Sequence, residues 1–290
     1  MNTVGIDIGG TQLRAAIFDK DGNLIESFKT ANERELTPEQ NMDKLIDFIM
    51  SKPYQYRGIG VGCPGPLNIR LGKVIAPPNL VGWDGFELVQ YMEEKTHIKT
   101  ILNNDANVAG LAEALLGAGR GYESVAFVGI STGIGGAYVY QGKLVNGANS
   151  NAAEFWNMIV NEDPHHHKNA NAGSLNEQSS GSGLLTIASE RYGRKVTPKE
   201  LFAMYYEKDA LAVEIVERAA DVLAKGIANI TCTIDPDVII VGGSVALHNV
   251  GFVGLVEEKA KKYVLNPQFL KIEIAQFGDD AGLIGASLLV

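Results

Sequence analysis

Cysteine and basic charge are both scarce in this chain. Two cysteines in 290 residues, Cys63 and Cys232, cannot build a disulfide framework or a thiolate metal cage. Both sit in apolar contexts, GVGCPGP and ANITCTID, which predict reduced, buried thiols. Lys and Arg total 25 against 34 Asp and Glu, a formal net charge of −9, and no stretch concentrates the cations. A surface that tracks nucleic-acid phosphates is therefore not expected. No apolar run approaches the length that spans a bilayer, and the opening MNTVGIDIGG lacks the basic and apolar regions of a secretion signal. A cytoplasmic protein with no membrane partner is expected. Also missing is any G-x-x-x-x-G-K-[ST] loop, which excludes a P-loop nucleotidase.

What is present is a duplicated pattern. At 290 residues and 46% hydrophobic composition the chain exceeds a typical single core and fits two domains sharing a cleft. Residues 3–29 read as strand, glycine turn, strand, the turn Lys20-Asp21-Gly22-Asn23, and a third strand. Residues 124–145 repeat the scheme, with one gap, and the match aligns Thr11 with Thr132. Around these meanders the sequence predicts helices over 37–51, 86–96, 106–116, 198–206, 210–232 and 253–263, with buried strands at RGIGVGC, KTILN and DVIIVGG. Alternating strands and helices mean an α/β fold. The expected domains are 1–117, completed by 279–290, and 118–278. Residues 161–183, rich in Asn, Ser, Gly and His, carry no period and predict an irregular segment.

Three groups of residues could carry chemistry. The glycine turns after the first strand of each repeat expose backbone N–H groups that can cradle phosphate oxygens, and Thr11 or Thr132 adds a hydroxyl donor. The bland alternative is a pair of tight hairpins. Asp7, in the first strand beside the first turn, needs a compensating cation or donors; Mg²⁺ on ATP phosphates or neighbouring N–H groups would serve. The cluster Asn103-Asn104-Asp105-Ala106-Asn107 opens a helix after a strand, where functional groups of open α/β sheets gather, although Asn and Asp there are also ordinary caps. Asp105 could accept a proton from an attacking hydroxyl.

Seven ordered motifs carry a resemblance: GIDIGGTQLR (5–14), GVGCPGPLN (60–68), APPNLVGW (76–83), NNDAN (103–107), ISTGIGGAY (130–138), VIIVGGSV (238–245) and GDDAGLIGA (278–286). Together they resemble the ROK family of sugar kinases and repressors, within the actin-like, hexokinase-type ATPase superfamily. The resemblance implies a two-lobed actin-like ATPase (ribonuclease H-like) fold with duplicated βββαβα units and a cleft between the lobes. It implies ATP and Mg²⁺ as cofactors, the metal carried by ATP near Asp7, a hexose-type sugar phosphorylated at its 6-hydroxyl, and a homodimer. Glucose, N-acetylmannosamine and a β-glucoside all remain open as substrates.

By the same resemblance Asp7, Gly9, Gly10 and Thr11 form one phosphate loop and Thr132, Gly133, Gly135 and Gly136 the other, with Gly242 and Gly243 near the adenosine. Asp105 would be the catalytic base. Gly65, Asn79, Asn104, Glu154, Asn157 and Glu177 would hold the sugar. Family members often carry G-E-x-G-H followed by a cysteine-rich zinc motif. Here the first part reads Ala153-Glu154-Phe155-Trp156-Asn157, and the cysteine positions hold His167, Asn169 and Ser174. The run His165-His166-His167 reads as a solvated loop, and no structural zinc is expected. Strict alignment puts the second sugar-binding carboxylate at Asn176 and a one-residue shift puts it at Glu177, the reading favoured here. Two rival readings are a sugar-sensing transcriptional regulator, for whose helix-turn-helix no residues are expected ahead of the first loop, and a catalytically inactive sugar-binding protein.

Overall fold

The computed structural model describes residues 1–164 and 170–290. These residues form two compact units: Met1–Glu113 with Asn146–Ala152 and Asp279–Val290, and Ala114–Val145 with Ala153–Gly278.

In the first unit, period-two alternation buries Val4, Ile6 and Ile8 of β1 (Asn2–Ile8). Antiparallel pairing follows with β2 (Gln12–Phe18), and of β2 with β3 (Leu24–Ala31). Helix α1 (Pro38–Met50) starts at a capping box between Thr37 and Gln40, with proline in its first turn. Its Met42, Leu45, Ile46 and Ile49 are buried at helical spacing, the stripe its sequence predicts. Then come β4 (Tyr56–Cys63), the short hairpin β5 (Leu67–Asn68) and β6 (Lys73–Val74), α2 (Leu88–Thr96), β7 (Thr100–Asn104) and α3 (Asp105–Leu115). The sheet order is β3-β2-β1-β4-β7, with β4 parallel to both β1 and β7.

The second unit repeats this plan. Strands β8 (Ser124–Ile130), β9 (Ile134–Tyr140) and β10 (Lys143–Leu144) form the second meander. Helices α4 (Leu175–Ser179), α5 (Gly181–Tyr192), α6 (Pro198–Tyr206) and α7 (Ala210–Ile234) lead to β11 (Val238–Gly242), followed by α8 (Ser244–His248), α9 (Val250–Ala260) and β12 (Ile272–Ile274). The order β10-β9-β8-β11-β12 is that of the first sheet, again with three antiparallel and then two parallel strands. One topology built twice accounts for the repeat in the sequence.

Two expectations need correction. The segment 161–183 is not irregular throughout, since it contains α4 and the start of α5, whose N-terminus is capped by Ser180. Cys232 is exposed, whereas Cys63 is buried, and both are free. Two residues past buried Ile230, Cys232 is turned about 200° around α7. No helix among the described residues is long and apolar enough to cross a membrane.

The chain re-enters the first unit to form α10 (Ala281–Ser287). This helix lies very close to β1, β4 and α3. A Cβ on Gly60 would fall 1.7 Å from the Ala286 carbonyl oxygen, and one on Gly285 would fall 1.7 Å from that of Val108. Backbone packs on backbone here.

Candidate functional site

Three parallel strands of the first unit end together. Asp7 of β1 pairs with Gly62 of β4, and Cys63 of β4 pairs with Asn104 of β7. The groups beyond them therefore collect at one carboxyl edge of the sheet, where open α/β sheets place ligands. The first glycine turn is closed by Gly9 N–H donating to the Gln12 carbonyl and tied to the end of β3 by Asn32, whose Nδ2 donates to the Gly9 carbonyl at 2.8 Å. The N–H groups of Gly10 and Thr11 meet no acceptor among the described residues, and the Thr11 side chain is exposed. Asn79 reaches the same turn: a Cβ on Gly10 would fall 2.8 Å from its carbonyl oxygen.

Asp7 is compensated within the chain. Arg14, opposite it in the β1–β2 register, donates Nε and Nη2 to Asp7 Oδ2 at 3.0 and 2.7 Å, and Nη2 also reaches the Asp279 carbonyl. The sequence reading supplied Mg²⁺ or backbone N–H groups for this role and missed the arginine. Hairpin geometry could have found it, because residues 7 and 14 face each other across the glycine turn.

At the β7–α3 junction, Asn104 Oδ1 accepts from the N–H of Ala106 at 2.9 Å and of Asn107 at 3.3 Å. Asn104 is thus the cap of α3, and Asp105 is its first helical residue. The Asp105 carboxylate accepts from its neighbour Ala106 N–H at 2.8 Å and is partly exposed. Asn104 Nδ2 points past Gly65, 3.5 Å from where a Cβ there would lie. Burial pushes the Cys63 thiol well up, and the negative charges of Asp105 and Asp7 push it further. Both carboxylates thus act on the buried end of β4, and the thiol between them stays neutral.

In the second unit, Ser131 N–H donates to the Gly133 carbonyl, and the N-terminus of α5 braces the turn, with Gly181 and Ser182 N–H donating to the Ser131 and Thr132 carbonyls. Asn176 Oδ1 accepts from Ile134 N–H at 3.0 Å, and Ser131 Oγ lies 3.0 Å from Ser244 Oγ, just past Gly242 and Gly243. The N–H groups of Thr132 and Gly133 meet no acceptor among the described residues. Gly135 and Gly136 lie within β9 instead of the turn. Gly136 is buried, and a Cβ on it would clash with Phe155. The second turn thus matches the first in offering two N–H groups and an exposed threonine.

Glu154 is exposed and accepts a hydrogen bond from Trp156 Nε1. Asn157 Oδ1 accepts from Asn171 N–H at 2.8 Å. Glu177 is buried, and Asn176 Nδ2 donates to its Oε1 at 3.2 Å. The segment after Asn157 is knit by Val160 N–H to the Gly173 carbonyl, Leu175 N–H to the Met158 carbonyl, and reciprocal side-chain amide bonds between Asn161 and Gln178. Ser174 Oγ is buried with no hydrogen-bond partner among the described residues. His165, His166, His167 and Asn169 of the histidine-run and zinc-motif readings lie outside the described residues. Among the described residues no group of three or more His, Cys, Asp and Glu side chains gathers into a metal site.

Comparison with known proteins places this architecture. N-acetylmannosamine kinase of Escherichia coli is 33% identical over 295 residues, covering 100% of this chain and 98% of that one. The crystal structure of a ROK hexokinase from Thermus thermophilus superposes with a TM-score of 0.92 at 31% identity, covering 99% and 97% of the two chains. A ROK family glucokinase from Streptomyces griseus, solved in complex with glucose and AMPPNP, matches with a TM-score of 0.82 at 25% identity over 100% and 99%. The model of the ROK family matches residues 3–290, and this chain therefore belongs to the ROK family.

Proposed function

We propose that this protein is an ATP-dependent sugar kinase that transfers the γ-phosphoryl group of ATP to the 6-hydroxyl of a hexose-type sugar. The observation that carries the reading is the edge of the first sheet. There a partly exposed carboxylate, Asp105, stands beside Asn104, Gly65 and a glycine turn with two N–H groups unpaired among the described residues. The Streptomyces griseus relative, which holds glucose and AMPPNP, supports both ligands.

In this mechanism Asp105 accepts the proton of the attacking hydroxyl as its oxygen bonds to the γ-phosphorus. The bond from that phosphorus to the β–γ bridging oxygen breaks, and ADP leaves with the electron pair. Phosphoryl transfer asks little covalent chemistry of a protein, so positioning and charge stabilisation supply most of the rate. The N–H groups of Gly10, Thr11, Thr132 and Gly133 and the two threonine hydroxyls suit the phosphate oxygens, with Gly242 and Gly243 toward the adenosine. Mg²⁺ carried on the ATP phosphates would neutralise their charge, with Asp7 the carboxylate beside the first turn. Asn104, Asn79, Glu154, Asn157 and Glu177 are assigned to the sugar. Asn176 fits the bracing of the second turn better, because its Oδ1 is taken by the Ile134 N–H, and this favours Glu177 as the sugar ligand. Sugar-dependent ADP release, screened over glucose, N-acetylmannosamine and a β-glucoside, tests the proposal. Release stimulated by at least one of them is expected, and the same slow ATPase with every sugar would reject it.

The fold of the segment after Glu154 is assigned to amides rather than to zinc. Asn157 holds Asn171, and Asn161 holds Gln178, across the stretch that carries the zinc motif in relatives. A zinc-selective chelator is expected to move the melting temperature of tag-free protein by no more than about 1 °C, because no folding energy comes from the metal. Stoichiometric zinc by elemental analysis, or a large drop in melting temperature with chelator, would overturn this assignment.

A further inference from the structure

We propose that Asn146 is a positioning residue for the Asp105 turn, acting through a chain of three amide side chains; this rests on the kinase reading above. Asn103, buried in β7, makes three of the four hydrogen bonds its amide can make. Its Oδ1 accepts from the Asn104 backbone N–H at 2.8 Å and from Asn107 Nδ2 at 2.9 Å, and its Nδ2 donates to Asn146 Oδ1 at 3.0 Å. The orientation of all three amides follows from one group. A backbone N–H can only donate, so the atom facing the Asn104 N–H must be the Asn103 oxygen. Asn107 must then present its NH₂, and Asn146 must present its oxygen.

The chain has a consequence for the base. Asn103 and Asn107 are 2% and 4% exposed, so neither amide can turn to water without cost. If Asn103 flipped, its NH₂ would face two donors, the Asn104 N–H and the Asn107 NH₂. Asn146 Oδ1 removes that alternative by giving the Asn103 NH₂ its acceptor on the far side. The Asn104 backbone is thereby fixed, and with it the side chain that caps α3 and the Asp105 that follows. Asn146 opens the stretch Asn146–Ala152, which the chain inserts into the first unit shortly before Glu154, and this stretch is closed by Ala152 N–H donating to the Asn146 carbonyl. Asn146 is itself half-buried, and its role in the chain of amides uses only its oxygen.

The requirement for an acceptor alone sets the test. Asn146→Ala is expected to lower kcat roughly tenfold, the equivalent of one lost buried hydrogen bond, with KM for ATP changed less than about twofold. Asn146→Asp keeps the acceptor and is expected to restore kcat to within about threefold of the unsubstituted protein, whereas Asn146→Leu is expected to behave as the alanine variant. Unchanged kcat in Asn146→Ala, or an aspartate variant no better than the leucine one, would overturn the proposal. Side-chain amide exchange followed by NMR separates it from the kinase reading. The Asn107 NH₂ protons are expected to exchange slowly in the unsubstituted protein and in Asn146→Asp, and faster in Asn146→Ala. Absence of any sugar turnover in unsubstituted protein would strike the kinase reading, and equal exchange in all variants would strike this one.

Discussion

Asp105→Asn is expected to lower sugar phosphorylation by roughly a thousandfold while sugar binding persists. The amide has nearly the shape of the carboxylate and can still accept the 2.8 Å bond from Ala106 N–H through its oxygen, so the start of α3 is preserved. The cap of that helix is Asn104, which the substitution leaves alone. If Asp105 is the base, as proposed, what is lost is the ability to take a proton from the attacking hydroxyl. The comparison of kcat with sugar affinity by calorimetry reads this directly. Turnover within about threefold of the unsubstituted protein would remove Asp105 from the base role.

Gly285→Ala is expected to be, with Gly60→Ala, among the most destabilising single methyls that can be added to the first unit. The new Cβ would lie 1.7 Å from the Val108 carbonyl oxygen, and the carbonyl of the next residue, Ala286, already packs against Gly60. A backbone oxygen cannot rotate away as a side chain does, so α10 or α3 must shift as a body. Overpacking of this kind costs about 3 kcal/mol, a fall of roughly 5–10 °C in melting temperature. The displacement would also reach the chemistry, because α3 begins at Asp105 and α10 carries Gly282 against Asp7. A melting temperature within about 1 °C of the unsubstituted protein would show that α10 moves more freely than its contacts imply.

The parts of the fold legible in the sequence are those set by local pattern. Alternation in TVGIDIG and SVAFVGI, each followed by a glycine turn, marked both meanders, and the apolar stripe Met42, Leu45, Ile46 and Ile49 marked α1. Strand β12 was missed because three residues, Ile272–Ile274, are too few to show a period, and it is defined only by pairing with β11. Helix α5 was missed because Gly181 and Gly183 in its first turn lower its propensity, while burial of Leu184 and Ala188 in the second core stabilises it. At the candidate site, turn residues and the NNDAN cluster were visible as motifs. Their supports were not: Asn146 meets Asn103 across 43 residues of sequence, and Asn176 reaches Ile134 across 42. Contacts at that separation leave no trace in spacing.

The central claim is transfer of phosphate from ATP to a sugar oxygen, and the product itself tests it most directly. The protein is incubated with ATP, Mg²⁺ and each of glucose, N-acetylmannosamine and a β-glucoside, and the reaction is followed by ³¹P NMR with correlation to the sugar protons. The account predicts a new phosphomonoester signal coupled to the two protons on C6 of at least one sugar, formed in step with ADP and absent with Asp105→Asn. Inorganic phosphate as the sole new phosphorus product with every sugar, at a rate unchanged by Asp105→Asn, would contradict it.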